Sequence, residues 1–192
     1  MTPIQWFSAA RRLGRGVDLE YAALRTVFLS EASPIPPGDC PVSVNLSPSA
    51  VLEPAIQDML AAQDRALVVE ITEHEPFPAD LVLGLKSLRD RGVSVAVDDA
   101  GSGYANFTQL LRLRPEMIKI DGELIAAIDD DPVARAMATA LKSLASELKA
   151  KTVAEAVETP SQLQTLIGLG IEYGQGFYLG PPSDAVDLIR QL

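Results

Sequence analysis

The chain has 192 residues, which is long enough for one domain with a hydrophobic core of its own. Its net charge of −10 opposes binding to DNA, and its single cysteine, Cys40, excludes an internal disulfide bond and suits a reducing compartment. No apolar run is long enough to cross a membrane and the N-terminus lacks a signal-peptide core, so we expect a cytoplasmic protein.

The first half of the chain predicts two helices and then an alternation of strands and helices. A proline-rich loop at Ala32–Asp39 separates the two parts. The helices are predicted at Pro3–Leu13, Val17–Leu29, Pro48–Ala62 and Ala79–Arg91. The strands are predicted at Val42–Leu46, at Ala66–Ile71 and from Val93 to the pair Asp98-Asp99.

The second half of the chain continues the alternation. The strands are predicted at Met117–Ile120, Lys151–Glu155 and Glu172–Tyr178. The helices are predicted at Asn106–Leu113, in two pieces after Asp121, after Thr159-Pro160 and at Asp184–Leu192. The longer of the two pieces begins at Asp131-Pro132 and carries an apolar stripe of Val133, Met137, Leu141, Leu144 and Leu148.

Six apolar strands that alternate with helices predict an α/β fold with a parallel sheet, in a single domain over residues 1–192. Right-handed crossovers bring the C-terminal ends of such strands to one edge. The polar residues at these ends are Asn45, Glu70, Asp98, Asp99, Lys119, Asp121, Glu155 and Gln175. Strand alternation places an aliphatic face against the helices and the polar face inside a barrel, whose C-terminal rim carries the chemistry.

The carboxylates predicted at this rim cannot share a small space as bare anions. Glu70, Asp98, Asp99 and Glu155 must be either protonated or neutralised by cations. Oxygen ligands select hard divalent ions such as Mg²⁺ or Mn²⁺. The adjacent pair Asp98-Asp99 suits a two-metal centre that activates water for in-line attack on a phosphodiester, and Lys119 would orient that water or offset phosphate charge.

Each of these residues has a simpler interpretation when it is taken alone. A carboxylate after a strand is commonly a helix N-cap, and this alternative weighs most for Asp121. Asn45 alone could provide the hydrogen bonds of a turn, and Gln175 could be a core polar group that bonds to the backbone. Lys119 could simply form an ion pair with Asp98. Because six strand ends carry the same kind of residue, we favour a shared site.

Six motifs follow one another along the chain. They are Val44-Asn45-Leu46-Ser47, Glu70-Ile71-Thr72-Glu73, Asp98-Asp99-Ala100-Gly101-Ser102-Gly103-Tyr104, Lys119-Ile120-Asp121, Val153-Ala154-Glu155-Ala156-Val157-Glu158-Thr159 and Gln175-Gly176-Phe177. In this order they resemble the motifs of EAL domains, which are bacterial phosphodiesterases that cleave cyclic di-GMP to linear pGpG. The resemblance covers essentially the whole chain.

The resemblance implies an eight-stranded TIM-like barrel that binds cyclic di-GMP with two Mg²⁺ or Mn²⁺ ions. By motif position, the metal ligands would be Asn45, Glu70, Asp98, Asp99 and Glu155, and Asn45 would also contact substrate. Lys119 would help to activate the water, with Asp121 supporting the metal site. Glu158 and Gln175 would lie near metal or substrate, although Glu158 and Glu73 also suit plain surface charges. Glu73 would anchor the loop 99–106, which in the family couples dimerisation to activity.

The Glu-Ala-Leu tripeptide that gives the family its name does not occur in the chain. We therefore expect the first two family strands and one further metal ligand to be absent, which leaves about six strands and a weakened phosphodiesterase. Two open sheet edges would then be covered by another chain, such as a second copy in a homodimer, or by rearranged local structure, unless the chain is a fragment of a longer protein. The alternative is a degenerate EAL domain that acts as a non-catalytic cyclic di-GMP sensor or a protein-interaction module. An unrelated TIM-barrel metal enzyme would need six motifs to coincide by chance.

Overall fold

The structure, a computed structural model, describes residues 2–29, 41–71, 77–101 and 107–182. Strands and helices alternate through these ranges. The strands are β1 (Val42–Leu46), β2 (Leu67–Ile71), β3 (Ser94–Ala100), β4 (Met117–Ile120), β5 (Lys151–Ala154) and β6 (Tyr173–Gly174). The helices are α1 (Pro3–Arg12), α2 (Gly16–Leu29), α3 (Pro48–Val51), α4 (Pro54–Ala61), α5 (Leu81–Arg89), α6 (Phe107–Leu113), α7 (Gly122–Ala126), α8 (Pro132–Leu148) and α9 (Pro160–Gly168).

The six strands form one parallel sheet in which neighbours in sequence are neighbours in space, from β1 to β6. Each parallel pair is joined by a crossover that contains helix, as parallel pairing requires. This confirms the predicted α/β fold with a parallel sheet of six strands. Within the described residues, β1 and β6 are the two ends of the sheet.

The aliphatic face of the sheet is buried beneath the helices, as predicted. Val44 is 7% exposed, and Val69, Val97, Ile118 and Ile120 are fully buried in the main hydrophobic cluster. Burial of such side chains is the dominant favourable contribution to folding. The core therefore lies between sheet and helices, which leaves the opposite face of the strands for polar residues.

The helix starts follow from local sequence signals. Thr2 and Gln5 form a capping box at α1, and Thr159 and Gln162 form another at α9. The Asp131 carboxylate accepts a hydrogen bond from the backbone N–H of Val133 at the start of α8. A proline occupies the first turn of all three helices, where its missing N–H costs nothing.

Two predicted elements differ from the structure. The helix predicted at Pro48–Ala62 is divided into α3 and α4, because Pro54 starts a new helix and holds Glu53 in an extended conformation. The strand predicted at Glu172–Tyr178 is only β6, two residues long. After β6 the chain turns back, and the backbone N–H of Tyr178 bonds to the Val157 carbonyl at 3.0 Å.

The buried face of α8 is offset from its predicted apolar stripe. The buried residues are Ala134, Ala138, Leu141 and Ala145, whereas Val133 is 64% exposed. Alanine side chains let a helix approach a sheet closely, and the larger aliphatic residues beside them are left partly exposed. The stripe was predicted from the large apolar side chains, but side-chain size alone does not determine how closely a helix and a sheet pack.

Several predicted features lie outside the described residues, namely Cys40, Glu73, the last helix at Asp184–Leu192, the whole proline-rich loop and positions 102–106 of the loop 99–106. In the part of the chain that the structure describes, no helix is both long and apolar enough to cross a membrane.

Candidate active site

A β-bulge in β3 brings two adjacent carboxylates to one side of the sheet. Val97 pairs with Ile118 and Ala100 with Ile120, so Asp98 and Asp99 together stand opposite Lys119. Asp99 has φ of 54°, a left-handed conformation that few residues other than Gly, Asn and Asp adopt readily. In a regular strand the side chains of residues 98 and 99 would point to opposite faces. The bulge removes this alternation at the rim.

The bulge thereby places carboxylate oxygen atoms from the ends of β3 and β5 in one compact group. One oxygen each from Asp98, Asp99 and Glu155 lie within 4.8 Å of one another, and all three residues are half-buried. Glu155 follows β5 directly, and its backbone N–H donates to the Ile120 carbonyl at 3.1 Å. Extension of the β4–β5 hydrogen bonding therefore fixes Glu155 beside the bulge.

Lys119 is buried at the centre of these carboxylates, with 6% exposure. Its Nζ atom donates to Glu70 Oε2 at 2.9 Å and to Asp98 Oδ1 at 2.8 Å, and forms an ion pair with Glu155. Burial alone would lower the pKa of Lys119, but hydrogen bonds to Asp98, Glu155 and Glu70 outweigh burial and hold that pKa above its ordinary value. Lys119 is therefore an ammonium ion at neutral pH.

The single ammonium does not neutralise the carboxylates around it. Burial raises the pKa of Glu155 to about 7, although the hydrogen bond and the positive charge of Lys119 lower this pKa. The negative charges of Asp98 and Asp99 also raise it. Four carboxylates, those of Glu70, Asp98, Asp99 and Glu155, lie around or beside this one ammonium group, so the site holds more negative charge than its own cation balances. A bound divalent cation would remove the imbalance, so the donor set fits a hard metal ion on both geometry and charge.

The remaining predicted residues lie at different distances from this group. Gln175 follows β6 and its Nε2 atom donates to Glu155 Oε1 at 3.0 Å, so the structure joins it to the carboxylates. Asn45 pairs in register with Glu70 but is exposed at the sheet edge. It lines a cavity of about 140 Å³ that also contains Arg11 and Glu20.

Asp121 and Glu158 are placed differently. Asp121 Oδ1 accepts a hydrogen bond from the Glu123 backbone N–H at 2.8 Å, which is the helix-capping alternative at the start of α7. Glu158 is exposed and lines a cavity of about 380 Å³ beyond Gln175. Glu73 lies outside the described residues.

A family model for the EAL domain matches residues 1–182 of this chain. The chain belongs to the EAL domain family. The match spans β1 to β6 and every described residue of the site, including the bulge and Lys119.

Relatives of this EAL chain support the assignment. "Probable cyclic di-GMP phosphodiesterase PdeG" of Escherichia coli (strain K12) is 31% identical in an alignment of 202 residues. This alignment covers 99% of the chain and 40% of PdeG. The structure of the PaMucR phosphodiesterase in complex with c-di-GMP is 29% identical with a TM-score of 0.77, covering 98% of the chain and 81% of that structure. The chain spans less than half the length of the curated relatives it matches.

A third match concerns metal binding in the EAL family. The Klebsiella pneumoniae BlrP1 structure is a manganese and cyclic di-GMP complex, 27% identical with a TM-score of 0.73, and the match covers 92% of the chain and 47% of that structure. Structures related to this chain therefore contain a divalent cation together with the cyclic dinucleotide.

Two residues of this EAL chain were given no role from the sequence. Glu20 of α2 is 8% exposed, and its Oε2 atom accepts a hydrogen bond from the Ser47 backbone N–H at 2.9 Å, which ties α2 to the end of β1. Phe177 is 65% exposed and lines the cavity of about 380 Å³. The signal available for Phe177 was its position directly after Gln175-Gly176 at a strand end; no comparable signal marks Glu20.

Proposed function

We propose that this chain is a metal-dependent phosphodiesterase domain, spanning residues 1–192, that hydrolyses cyclic di-GMP to linear pGpG. The observation that carries the proposal is the group of carboxylates around Lys119, built by the bulge at Asp98 and Asp99. The similarity to PdeG, a probable cyclic di-GMP phosphodiesterase, and to the PaMucR complex with c-di-GMP supports the choice of substrate.

Asp98, Asp99 and Glu155 would hold divalent cations, with Glu70 beside them and Asn45 at the edge of the site. We infer two ions, Mg²⁺ or Mn²⁺, from the number of oxygen donors and from the bridging geometry of adjacent carboxylates. When bound, such ions lower the pKa of a water molecule and stabilise charge on the phosphoryl oxygens.

Lys119 would act as a hydrogen-bond donor and not as a base. Its pKa is raised, so it keeps its proton at neutral pH and can orient a water oxygen or a phosphate oxygen. Its contacts with Glu70 and Asp98 fix the ammonium group within the site before substrate arrives. Asp121 would contribute by holding the start of α7 directly after β4, and Glu73 by anchoring the loop 99–106.

A second candidate is a non-catalytic EAL domain that binds cyclic di-GMP or a protein partner. The observation in its favour is that Asn45, a predicted metal ligand, is exposed at the sheet edge and lines the cavity of about 140 Å³. We favour the enzyme because the remaining acidic positions are retained and four of them lie around or beside one lysine.

We further propose a homodimer that forms through the loop 99–106 or through the strand edges, and a cytoplasmic location. The two sheet ends at β1 and β6 support the edge interface. The single cysteine suits the reducing compartment.

The test is incubation of the purified chain with cyclic di-GMP and Mn²⁺, with products separated by chromatography. We expect pGpG to accumulate, to stop on addition of EDTA and to be absent for Asp98→Asn. Asp90→Asn is the matched control, because its carboxylate pairs with Lys86 on an exposed helix end and should leave turnover unchanged. Binding of cyclic di-GMP with no pGpG would instead support the sensor.

A further inference from the structure

The loops that follow β4 and β5 meet beside the candidate metal site. Lys119 of β4 lies three residues before Gly122, which is the first residue of α7. Glu155 directly follows β5 and directly precedes Ala156. Because Lys119 and Glu155 form an ion pair, a change in the separation of these two loops would alter the site.

Ala156 has a left-handed backbone conformation, with φ of 50°. This conformation costs alanine free energy, because the Cβ atom crowds a carbonyl oxygen, and it persists only where surrounding contacts hold it. The backbone N–H of Glu155 donates to the Ile120 carbonyl at 3.1 Å. The backbone N–H of Val157 donates to the Gln175 carbonyl at 3.0 Å. Hydrogen bonds thus fix the chain before and after Ala156, and with it the direction of the methyl group.

Gly122 leaves the space that this methyl group occupies. A Cβ atom added at Gly122 would lie 2.9 Å from the Ala156 Cβ atom, whereas two carbon atoms prefer a separation of about 3.5–4.0 Å. An alanine Cβ atom has no side-chain torsion by which to turn away, so only a backbone movement relieves the contact. Outside the local chain, the Ala156 methyl group is the one atom of the described residues within 4 Å of the added Cβ. The constraint therefore belongs to this pair of residues.

The start of α7 is held in place on its own side of the contact. The backbone N–H of Asp121 donates to the Ala100 carbonyl at 3.1 Å, and Asp121 Oδ1 accepts from the Glu123 backbone N–H at 2.8 Å. Leu124 and Ile125, which follow in α7, are buried in the hydrophobic core. Steric pressure from position 122 would therefore act on the loop after β5, which carries Glu155.

We propose that Gly122 is a positioning residue for the candidate metal site and acts through Ala156. Its missing side chain lets the loop after β5 pack against the start of α7, which holds the Glu155 carboxylate beside Lys119. The inference rests on the proposed function, because the site that Gly122 positions is the one assigned to divalent cations. A side chain at position 122 would displace Ala156 and, with it, the adjacent Glu155.

The test is a double-mutant cycle measured by calorimetric titration with Mn²⁺. We expect Gly122→Ala to bind Mn²⁺ at least about tenfold more weakly than wild type, as loss of a residue that supports a ligand does in other metal sites. Ala156→Gly should bind close to wild type, because glycine adopts a positive φ without strain. The double variant Gly122→Ala/Ala156→Gly should regain most of the lost affinity, since the two Cβ atoms no longer meet.

Two control variants separate positioning from a general loss of stability. Gly168→Ala is the matched glycine substitution, because a Cβ atom there meets open space, and it should bind Mn²⁺ as wild type does. Glu172→Gln removes hydrogen bonds to Lys142 and Thr152 away from the site, so it should lower stability and leave Mn²⁺ affinity unchanged. Urea unfolding without metal gives a second measurement of the cycle, in which Ala156→Gly should restore the midpoint lost in Gly122→Ala.

The outcomes distinguish the positioning role from the proposed function. Wild-type Mn²⁺ affinity in Gly122→Ala would overturn the positioning role alone, as would a double variant that recovers neither affinity nor stability. An equal loss of Mn²⁺ affinity in Glu172→Gln would also overturn it, because the effect would then follow stability and not position. Wild-type protein that binds no Mn²⁺ would overturn the proposed function, and the positioning role with it.

Discussion

Asp99 is the residue that turns an ordinary strand end into a candidate metal site. Its left-handed φ of 54° allows Asp98 and Asp99 to reach the same side of the sheet, where Glu155 is within 4.8 Å. A β-branched or bulky apolar residue at position 99 would resist that conformation, while aspartate both tolerates it and supplies a ligand. One residue type thus meets a backbone requirement and a chemical one.

Lys119 gives the first prediction at this scale. We expect Lys119→Met to lose turnover and to lower the free energy of unfolding by about 3–5 kcal/mol, because buried carboxylates lose their cation. Mn²⁺ should raise the melting temperature of this variant more than that of wild type, since the ion replaces the missing charge.

Urea unfolding with and without Mn²⁺ measures both effects of the Lys119 substitution. Lys86→Met is the control, because its ion pair with Asp90 is exposed and should contribute less than about 1 kcal/mol. A Lys119→Met variant as stable as wild type without metal would contradict the role assigned to the ammonium group.

Glu172 gives a pH prediction away from the site. Burial tends to raise its pKa, but hydrogen bonds from Lys142 and from both the hydroxyl and the backbone N–H of Thr152 outweigh burial and lower that pKa to about 2. The ordinary value is 4.5. Because the folded-state pKa is the lower one, the stabilisation is complete above about pH 5 and is lost as the pH falls toward 2.

The prediction for Glu172 is tested by urea unfolding of wild type and Glu172→Gln between pH 3 and pH 7. The difference in unfolding free energy should be largest near neutral pH and should shrink below pH 4.5. A difference that stays constant over this range would show that the carboxylate charge does not stabilise the fold.

At the scale of elements, the fold depends on short connections that backbone hydrogen bonds and close packing fix in place. The turn after β6 packs on the chain after β5, and Gly176 is the residue that permits the contact. The same turn carries Phe177 and follows Gln175, so backbone packing here controls the cavity as well as the sheet end.

Gly176→Ala is predicted to disturb this turn. A Cβ atom would lie 2.2 Å from the Val157 nitrogen and 2.4 Å from its oxygen, so the turn must move. We expect a loss of about 1–3 kcal/mol in unfolding free energy and a weaker affinity for cyclic di-GMP, measured by urea unfolding and calorimetry. Gly168→Ala at the end of α9, where a Cβ meets open space, should be neutral or slightly stabilising. Equal effects of the two substitutions would contradict the packing argument.

Sequence patterns predicted the order of the elements well and the details of the site less completely. Apolar runs such as Val93–Val97 and capping signals such as Thr159-Pro160 are local, and they predicted strands and helix starts correctly. The bulge at Asp98-Asp99 depends on pairing with β4, and the short β6 depends on a turn against Val157. Both are tertiary contacts, which a local pattern does not encode.

The candidate site was predictable as a set of residues because parallel strands end at one edge. Glu70, Lys119 and Glu155 were predicted to share this edge, and they are in contact in the structure. The sequence left open whether Asp121 would cap α7 or support the metal site, and it did not predict that Lys119 would bond three carboxylates at once, because hydrogen-bond partners depend on exact side-chain positions.

At the scale of the whole molecule, the end strands β1 and β6 of the parallel sheet are the edges through which two copies of the chain could associate. Backbone N–H and C=O groups on the outer side of an end strand are available for pairing with another chain. The N–H of Val42 bonds toward β2, so alternation directs the N–H of Ser43 to the outer side of β1.

We expect a homodimer in size-exclusion chromatography with light scattering. Ser43→Pro removes an outward donor while leaving the β1–β2 bonds, so it should weaken a dimer formed through this edge. A dimer that Ser43→Pro does not affect would exclude the β1 edge and leave the β6 edge or the loop 99–106 as the contact. A monomer at all concentrations would contradict the assembly.

We infer that the bulge gathers Asp98, Asp99 and Glu155 into one divalent-cation site. The most direct measurement is calorimetric titration of the wild type, Asp99→Asn and Asp90→Asn with Mn²⁺ at pH 8, above the pKa of about 7 held by Glu155. We predict Mn²⁺ binding to wild type and Asp90→Asn, and an affinity at least about tenfold weaker in Asp99→Asn. Absence of binding to wild type, or equal binding by Asp99→Asn, would contradict the account.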